Sequence, residues 1–146
     1  MLALIQRVTH ASVSVKNDNI AKINAGMLAL IGIEKTDTEF NADKLLEKML
    51  NFRIFADKDD KMNLSLKDTH GGLLLVSQFT LVADTQSGTR PGFSTAMGPE
   101  ESGIIFQYMI SKAQLIHENK AFYGEFGANM QVELCNDGPV TFLLKA

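Results

Sequence analysis

Apolar and polar positions alternate through the opening residues in the manner of extended backbone. Residues 2–8 are apolar enough for a first strand, and residues 10–15 alternate strictly around Ala11, Val13 and Val15, predicting a second strand with one solvated face. Asn17, Asp18 and Asn19 mark a turn. Residues 20–24 then give a short third strand, and the apolar run 27–33 a buried one. The period changes after Asp37 and Thr38, either of which can cap a helix whose Ala42, Leu45, Leu46, Met49 and Leu50 share one face at 3.6 residues per turn. Residues 52–55 alternate again, residues 56–63 are a charged turn, and residues 64–66 suit a short edge strand. Pro99, Glu100 and Glu101 open a second helix, since proline fits the first turn and acids suit the positive end of the dipole. Its buried side is expected from Ile104, Ile105, Tyr108, Met109, Lys112, Leu115 and Ile116. Residues 122–126 predict a further short strand, and residues 130–134 and 140–144 flank a turn as the arms of a terminal hairpin. Many strands with two long helices predict an α+β fold whose sheets are covered by the helices. With 146 residues and no repeat, low-complexity tract or linker, one domain over residues 1–146 is expected.

Three stretches ask for more than folding. Residues 71–82 form an apolar strand interrupted by Ser77, Gln78 and Thr80. Three hydrogen-bonding side chains so close together in a buried strand need polar partners, because unpaired burial is costly. Residues 83–98 are a long irregular segment, of a length that in a compact domain is usually functional or mobile. Arg90 and Phe93 are its candidate contributors, Phe93 either as a pocket wall or as an anchor holding the segment to the core. Finally, residues 135–141 combine Asn136, Asp137 and Gly138, which tolerate left-handed or side-chain-bonded backbone, with Pro139, which fixes one dihedral and removes one donor. Alone, this stiff corner is either a hairpin turn or a device with exposed carbonyls.

Composition narrows the chemistry. The chain is 45% hydrophobic and 21% charged, ordinary for a globular protein. A net charge of −3 argues against a protein that grips long stretches of nucleic acid, leaving a short contact in which Arg7, Arg53 and Arg90 offset a few phosphates. The single cysteine, Cys135, excludes an intrachain disulfide and a cysteine zinc cluster, and its apolar neighbourhood reads as that of a small buried hydrophobe. A reducing compartment follows. With no bilayer-length apolar stretch and no signal-peptide pattern, the expected location is the cytoplasm, away from any membrane. The charged turn at 56–63 lacks the central glycine and terminal glutamate of a calcium loop, and His10, His70 and His117 lack metal-ligand spacing. No metal and no catalytic histidine is expected, and neither Gly-x-Ser-x-Gly nor His-Glu-x-x-His occurs.

Ser77-Gln78-Phe79-Thr80-Leu81, followed by Asn136-x-Gly138-Pro139-Val140-Thr141, resembles the D-aminoacyl-tRNA deacylase family. The resemblance runs from residues 1–7 through Arg90-Pro91-x-Phe93 to the C-terminal motif. It implies a three-layer β/β/α arrangement and a homodimer with its active site at the subunit interface. The implied substrate is aminoacyl-tRNA, held by its 3′ acceptor end, and the implied reaction is hydrolysis of the ester to a D-amino acid without any cofactor. Ser77, Gln78, Phe79 and Thr80 are the implied catalytic stretch, with the Gln78 and Phe79 amides stabilising the oxyanion. Thr80 is then either a nucleophile or an orienting hydroxyl; with no base beside it in sequence, orientation is favoured. The implied role of Gly138-Pro139 is that of a cis corner, inserted into the partner's pocket, whose carbonyls hold the substrate amino group and whose bulk excludes L side chains. Glycine would then leak through. Arg7 would brace that corner through a carbonyl, and Arg90, Phe93, Asn136 and Thr141 would support the corner or the pocket. One departure is Gly92, where a serine is expected in relatives, which puts the rigidity of its segment in question. A different class stays open as well: a non-catalytic module for nucleotides or RNA ends, for which the low basic charge is unfavourable.

Overall fold

The computed structural model describes residues 1–86, 88–118 and 120–146. The two opening strands expected from the pattern are one, β1 (Leu2–Val15). The polar Thr9 and His10 do not end it; they mark a change of partner. Up to Val8 it pairs antiparallel with β3 (Gly26–Gly32), and from Ala11 with β2 (Asp18–Ile23). α1 (Glu39–Asn51) follows, with Ala42, Leu45, Leu46, Met49 and Leu50 all buried, as the helical period requires. Its cap is Thr38, whose N and Oγ1 both donate to Asn41 Oδ1 at 3.0 Å. Asp37 is otherwise engaged: buried, it accepts from the Met1 ammonium at 2.7 Å, while Glu34 accepts from the same ammonium at 2.9 Å.

Two short strands, β4 (Phe55–Ala56) and β5 (Met62–Leu64), make a separate ribbon. The edge strand expected at 64–66 is cut short at Leu64, because Ser65 caps a helical turn, α2 (Leu66–Thr69). Ser65 N and Oγ donate to Asp68 Oδ2 at 2.8 and 2.6 Å, and Asp68 N returns a bond to Ser65 Oγ at 3.3 Å. β6 (Gly72–Ser77) then runs parallel to β3, and β7 (Ala121–Tyr123) parallel to β6, stopping short of the expected 122–126. α3 (Pro99–Ile116) buries Ile105, Phe106, Met109, Ile110 and Ala113. The face expected for it is therefore rotated: Ile104 is 63% and Leu115 80% exposed. The last strand, β8 (Met130–Lys145), corrects the expected terminal hairpin. Both of its arms pair antiparallel with β1, so residues 137–140 bulge from one strand and do not reverse it. Its alternation turns Leu134 toward the core and leaves Cys135 exposed, against the expectation of a buried thiol.

The sheet order is β2-β1-β3-β6-β7, with β8 on the other edge of β1. Two apolar cores give three layers. Met27, Ala29, Ile31, Leu73 and Leu75 pack with Leu46, Met49, Phe106 and Met109 of the helices. The opposite faces of β3 and β6, Leu28, Leu74 and Val76, pack with Ala11, Val13, Ala21 and Ile23. This is an α+β fold with helices covering one face of a folded sheet. No helix among the described residues is long and apolar enough to cross a membrane.

Candidate active site

The polar interruption at 77–80 is where β6 ends. Gln78 leaves the sheet with φ −144° and ψ 81°, and residues Phe79–Val82 form a 3₁₀ turn closed by Leu81 N to Gln78 O and Ala83 N to Thr80 O, both at 3.2 Å. The strand expected to continue to Val82 is thus replaced by a turn that carries Phe79 and Thr80 out to the surface, Phe79 being 60% exposed. Gln78 N is spent on Ile31 O at 2.7 Å. Among the described residues the amides of Phe79 and Thr80 have no acceptor, as the first donors of a helical turn ordinarily lack one. Gln78 Nε2 donates to Thr80 Oγ1 at 2.5 Å, which fixes the hydroxyl beside those amides.

A cavity of about 690 Å³ opens over this turn. Ser77, Gln78 and Phe79 form one wall, Phe93 and Met97 another, and Phe126, Met130 and Val132 a third, with Ser102 of α3 at its margin. Its size suits a small organic group, and apolar walls with a few polar groups are what such a group needs. Phe79 and Phe93 meet with ring centroids 5.0 Å apart. Phe93 is therefore a pocket wall. Its segment is pinned at the base: Asp84 and Gly92 exchange two backbone bonds at 2.8 Å, Lys35 N donates to Thr95 O and Met97 N to Ile33 O, both at 3.1 Å, and Thr95 Oγ1 donates to Val82 O. A Cβ at Gly92 would make only ordinary contacts, 3.7 Å from Asp84 Cβ, and the bonds that residue 92 makes to Asp84 are backbone bonds that glycine supplies as well as serine would. Ser87 of that segment lies outside the described residues.

The other expected residues gather elsewhere. Gly138-Pro139 is cis and exposed, at the crest of the bulge in β8. Arg7 Nε donates to Asp137 O at 3.0 Å and lies 3.1 Å from its Oδ2, while Nη1 donates to Ile54 O at 2.8 Å. Asn136 reaches across the base of the bulge to Val140 and Thr141. Corner and cavity do not meet within one chain. The corner stands opposite Arg7, which pairs with Met27, whereas the cavity includes Ile31 at the far end of β3. Four residues of strand separate them, about 13 Å by the strand rise alone. Arg90 is exposed and belongs to neither group, and Arg53, also exposed, donates to Asn63 at 3.3 Å.

Sequence reasoning did not anticipate Phe126, Met97, Ser102 or Asp137. A phenylalanine beside Gly127, past the end of a strand, was the one available signal for Phe126. Asp137 was visible as a charge but not as the partner of a residue 130 positions away.

A family model described as D-Tyr-tRNA(Tyr) deacylase matches residues 4–145. A Pseudomonas fluorescens protein named D-aminoacyl-tRNA deacylase is 55% identical over 145 residues, covering 99% of both chains. One from Stutzerimonas stutzeri with the same name is 53% identical over 146 residues, covering both chains entirely. Among solved structures, one titled c-Myc DNA Unwinding Element Binding Protein superposes with a TM-score of 0.96 at 36% identity, covering 100% of this chain and 99% of that one. Another, titled as a probable eukaryotic D-amino acid tRNA deacylase, has a TM-score of 0.87 at 13% identity over 99% of this chain and 98% of that one, a likeness of fold.

Proposed function

The chain belongs to the D-Tyr-tRNA(Tyr) deacylase family and is a hydrolase of D-aminoacyl-tRNA, and from that premise we propose how its residues perform the reaction. The aminoacylated 3′ end enters the cavity over the 3₁₀ turn. Water attacks the ester carbonyl, and the oxyanion that develops is held by the Phe79 amide with that of Thr80. Such preorganised donors lower the barrier to acyl transfer by about 3 kcal/mol each. This revises the pair expected from the sequence, because Gln78 N already donates to Ile31 O. Gln78 contributes through its side chain instead, holding the Thr80 hydroxyl. The ester C–O bond then breaks, releasing the D-amino acid and a free ribose hydroxyl.

Chirality is read by exclusion. The Gly138-Pro139 corner enters the cavity of a second copy of the chain, where its carbonyls hold the substrate amino group and an L side chain collides with it. Glycine has no side chain to collide, so glycyl-tRNA is also hydrolysed. The observation that supports this reading is the distance between the corner and its own chain's cavity, a gap that a second subunit would close. Ser77 and Phe93 shape the cavity, Arg7, Asn136 and Thr141 support the corner, and Arg90 and Arg53 offset phosphates of the acceptor end. The enzyme is read as one domain over residues 1–146, acting as a homodimer on the tRNA pool of the cytoplasm.

Purified protein incubated with matched D- and L-tyrosyl-tRNA tests the reading. Selective release of the D-amino acid is expected, and glycyl-tRNA should also be cleaved. Equal turnover of both enantiomers would sink the corner as a gate.

A further inference from the structure

Between the pairs Val8–Asn136 and Gln6–Thr141, β1 has one residue, Arg7, where β8 has four, residues 137–140. Backbone groups in such an excursion lose their ladder partners, and a buried amide left unpaired is costly. Val140 is buried, and its N–H is the group at risk. Asn136 supplies its acceptor: Oδ1 takes the Val140 N–H at 2.6 Å. The same side chain donates through Nδ2 to Thr141 Oγ1 at 2.9 Å and, more weakly, to Val140 O at 3.4 Å. Gln6 Nε2 reaches the same hydroxyl at 3.5 Å, tying the base of the bulge back to β1. The outgoing limb is held by Arg7 at Asp137 O and the returning limb by Asn136. Gly138 and Pro139, unpaired with β1, are the two residues left between these holds.

An amide both accepts and donates, which is what closing a loop at two adjacent residues demands. A carboxylate can do the same only because a threonine hydroxyl can turn round and donate to it. From this geometry we infer that Asn136 is a positioning residue for chiral selection. It sets where the Gly138-Pro139 corner stands, and through the corner it sets which enantiomer is excluded. The inference rests on the proposed role of that corner. It separates two properties of the enzyme. The amides of Phe79 and Thr80 lie in the other group of residues, so loosening the corner leaves the turnover of bound D-ester nearly as it was. What suffers is the hold on the substrate amino group and the rejection of the L-ester.

Steady-state hydrolysis of D- and L-tyrosyl-tRNA by wild type, Asn136→Ala and Asn136→Asp tests this, with circular dichroism as the check on folding. Asn136→Ala is expected to lower the D:L ratio of kcat/KM by about ten- to a hundredfold, the range for misplacing a positioning group. Most of the D-ester loss should fall in KM. Asn136→Asp should recover much of the ratio, because its carboxylate still accepts from Val140 N and takes the Thr141 hydroxyl as donor. Should Asn136→Ala not stay folded, Thr141→Val, which removes one limb of the brace at an exposed residue, carries the same expectation with a smaller drop. An unchanged ratio in the folded alanine variant, or one that the aspartate fails to recover, overturns the brace alone. A wild type with no preference for the D-ester overturns the corner's role along with it.

Discussion

At Gly138 the backbone φ is +136°, a region that L side chains rarely adopt, and a Cβ there would lie 2.6 Å from Val140 Cγ2 and 3.2 Å from Arg7 Nη2. Gly138→Ala is expected to cost about 1–3 kcal/mol, the usual range for a residue forced into sparse backbone space. The cost should appear as a lower Tm, together with at least a tenfold loss of kcat/KM for the D-ester that falls mainly in KM, since Arg7 must shift to make room and the corner loses its hold on the substrate amino group. Thr80 poses a different question. Its Oγ1 already accepts the Gln78 amide, and no imidazole or carboxylate is bonded to it among the described residues. Thr80→Val should therefore slow D-ester hydrolysis about tenfold, the scale of one lost orienting contact, whereas removing a true nucleophile costs several orders of magnitude. A burst of covalent acyl-enzyme in rapid-quench experiments would contradict that assignment. Glu34 is one carboxyl that contributes to acid stability. The hydrogen bond from the Met1 ammonium, helped by Lys145, holds its carboxyl below the ordinary value of 4.5. A carboxyl with a depressed folded pKa adds stability that is complete above its unfolded value and disappears as pH falls through the folded one. Glu34→Gln should thus lower Tm at pH 7 and flatten its decline below pH 4.5, read from melts across that range.

How far elements could be read from the pattern depended on whether their partners were local. Apart from Phe40, which is exposed in its first turn, α1 has its apolar residues on one side, so its stripe identified both helix and buried face. α3 is apolar nearly all round, with Ile104, Leu115 and Ile116 beside Ile105, Phe106 and Met109, and its period cannot choose a face. Packing against α1 and the sheet made that choice. The C-terminal hairpin failed for a related reason. Two strand-like arms around Gly138-Pro139 look alike whether they pair with each other or both with β1, and the deciding partner lies at the opposite end of the chain. The end of β6 was half legible: Ser77, Gln78 and Thr80 signalled an interruption, but not that it becomes a 3₁₀ turn with free amides. Ser65 is the converse case, since Ser65-x-x-Asp68 is a capping signature present in the sequence and easily hidden by the apolar Leu64 and Leu66 around it. Ser65→Ala should cost about 1 kcal/mol, the typical worth of an N-cap side chain, measurable as a lower urea midpoint with an unchanged slope.

Over the whole molecule, both motifs that identify the family could be read from the chain, but not the gap between the places to which they fold. That gap turns a statement about subunits into one that mutants can test. In a two-fold dimer each site would combine the cavity of one subunit with the corner of the other, so a defect in either part disables a different half of the pair. Phe79→Pro removes one oxyanion amide where Gln78 is already outside the helical region, as the residue before a proline must be. Gly138→Ala spoils the corner alone. Assayed at substrate well below KM, each homodimer should hydrolyse D-tyrosyl-tRNA poorly. When the two chains are co-expressed, half the dimers are mixed, and every mixed dimer has one site built from an intact cavity and an intact corner. Activity should return to about a quarter of the wild-type level per site, the fraction that random two-fold pairing sets. If cavity and corner instead acted within a single chain, mixing would restore nothing, because no subunit would carry both parts unaltered.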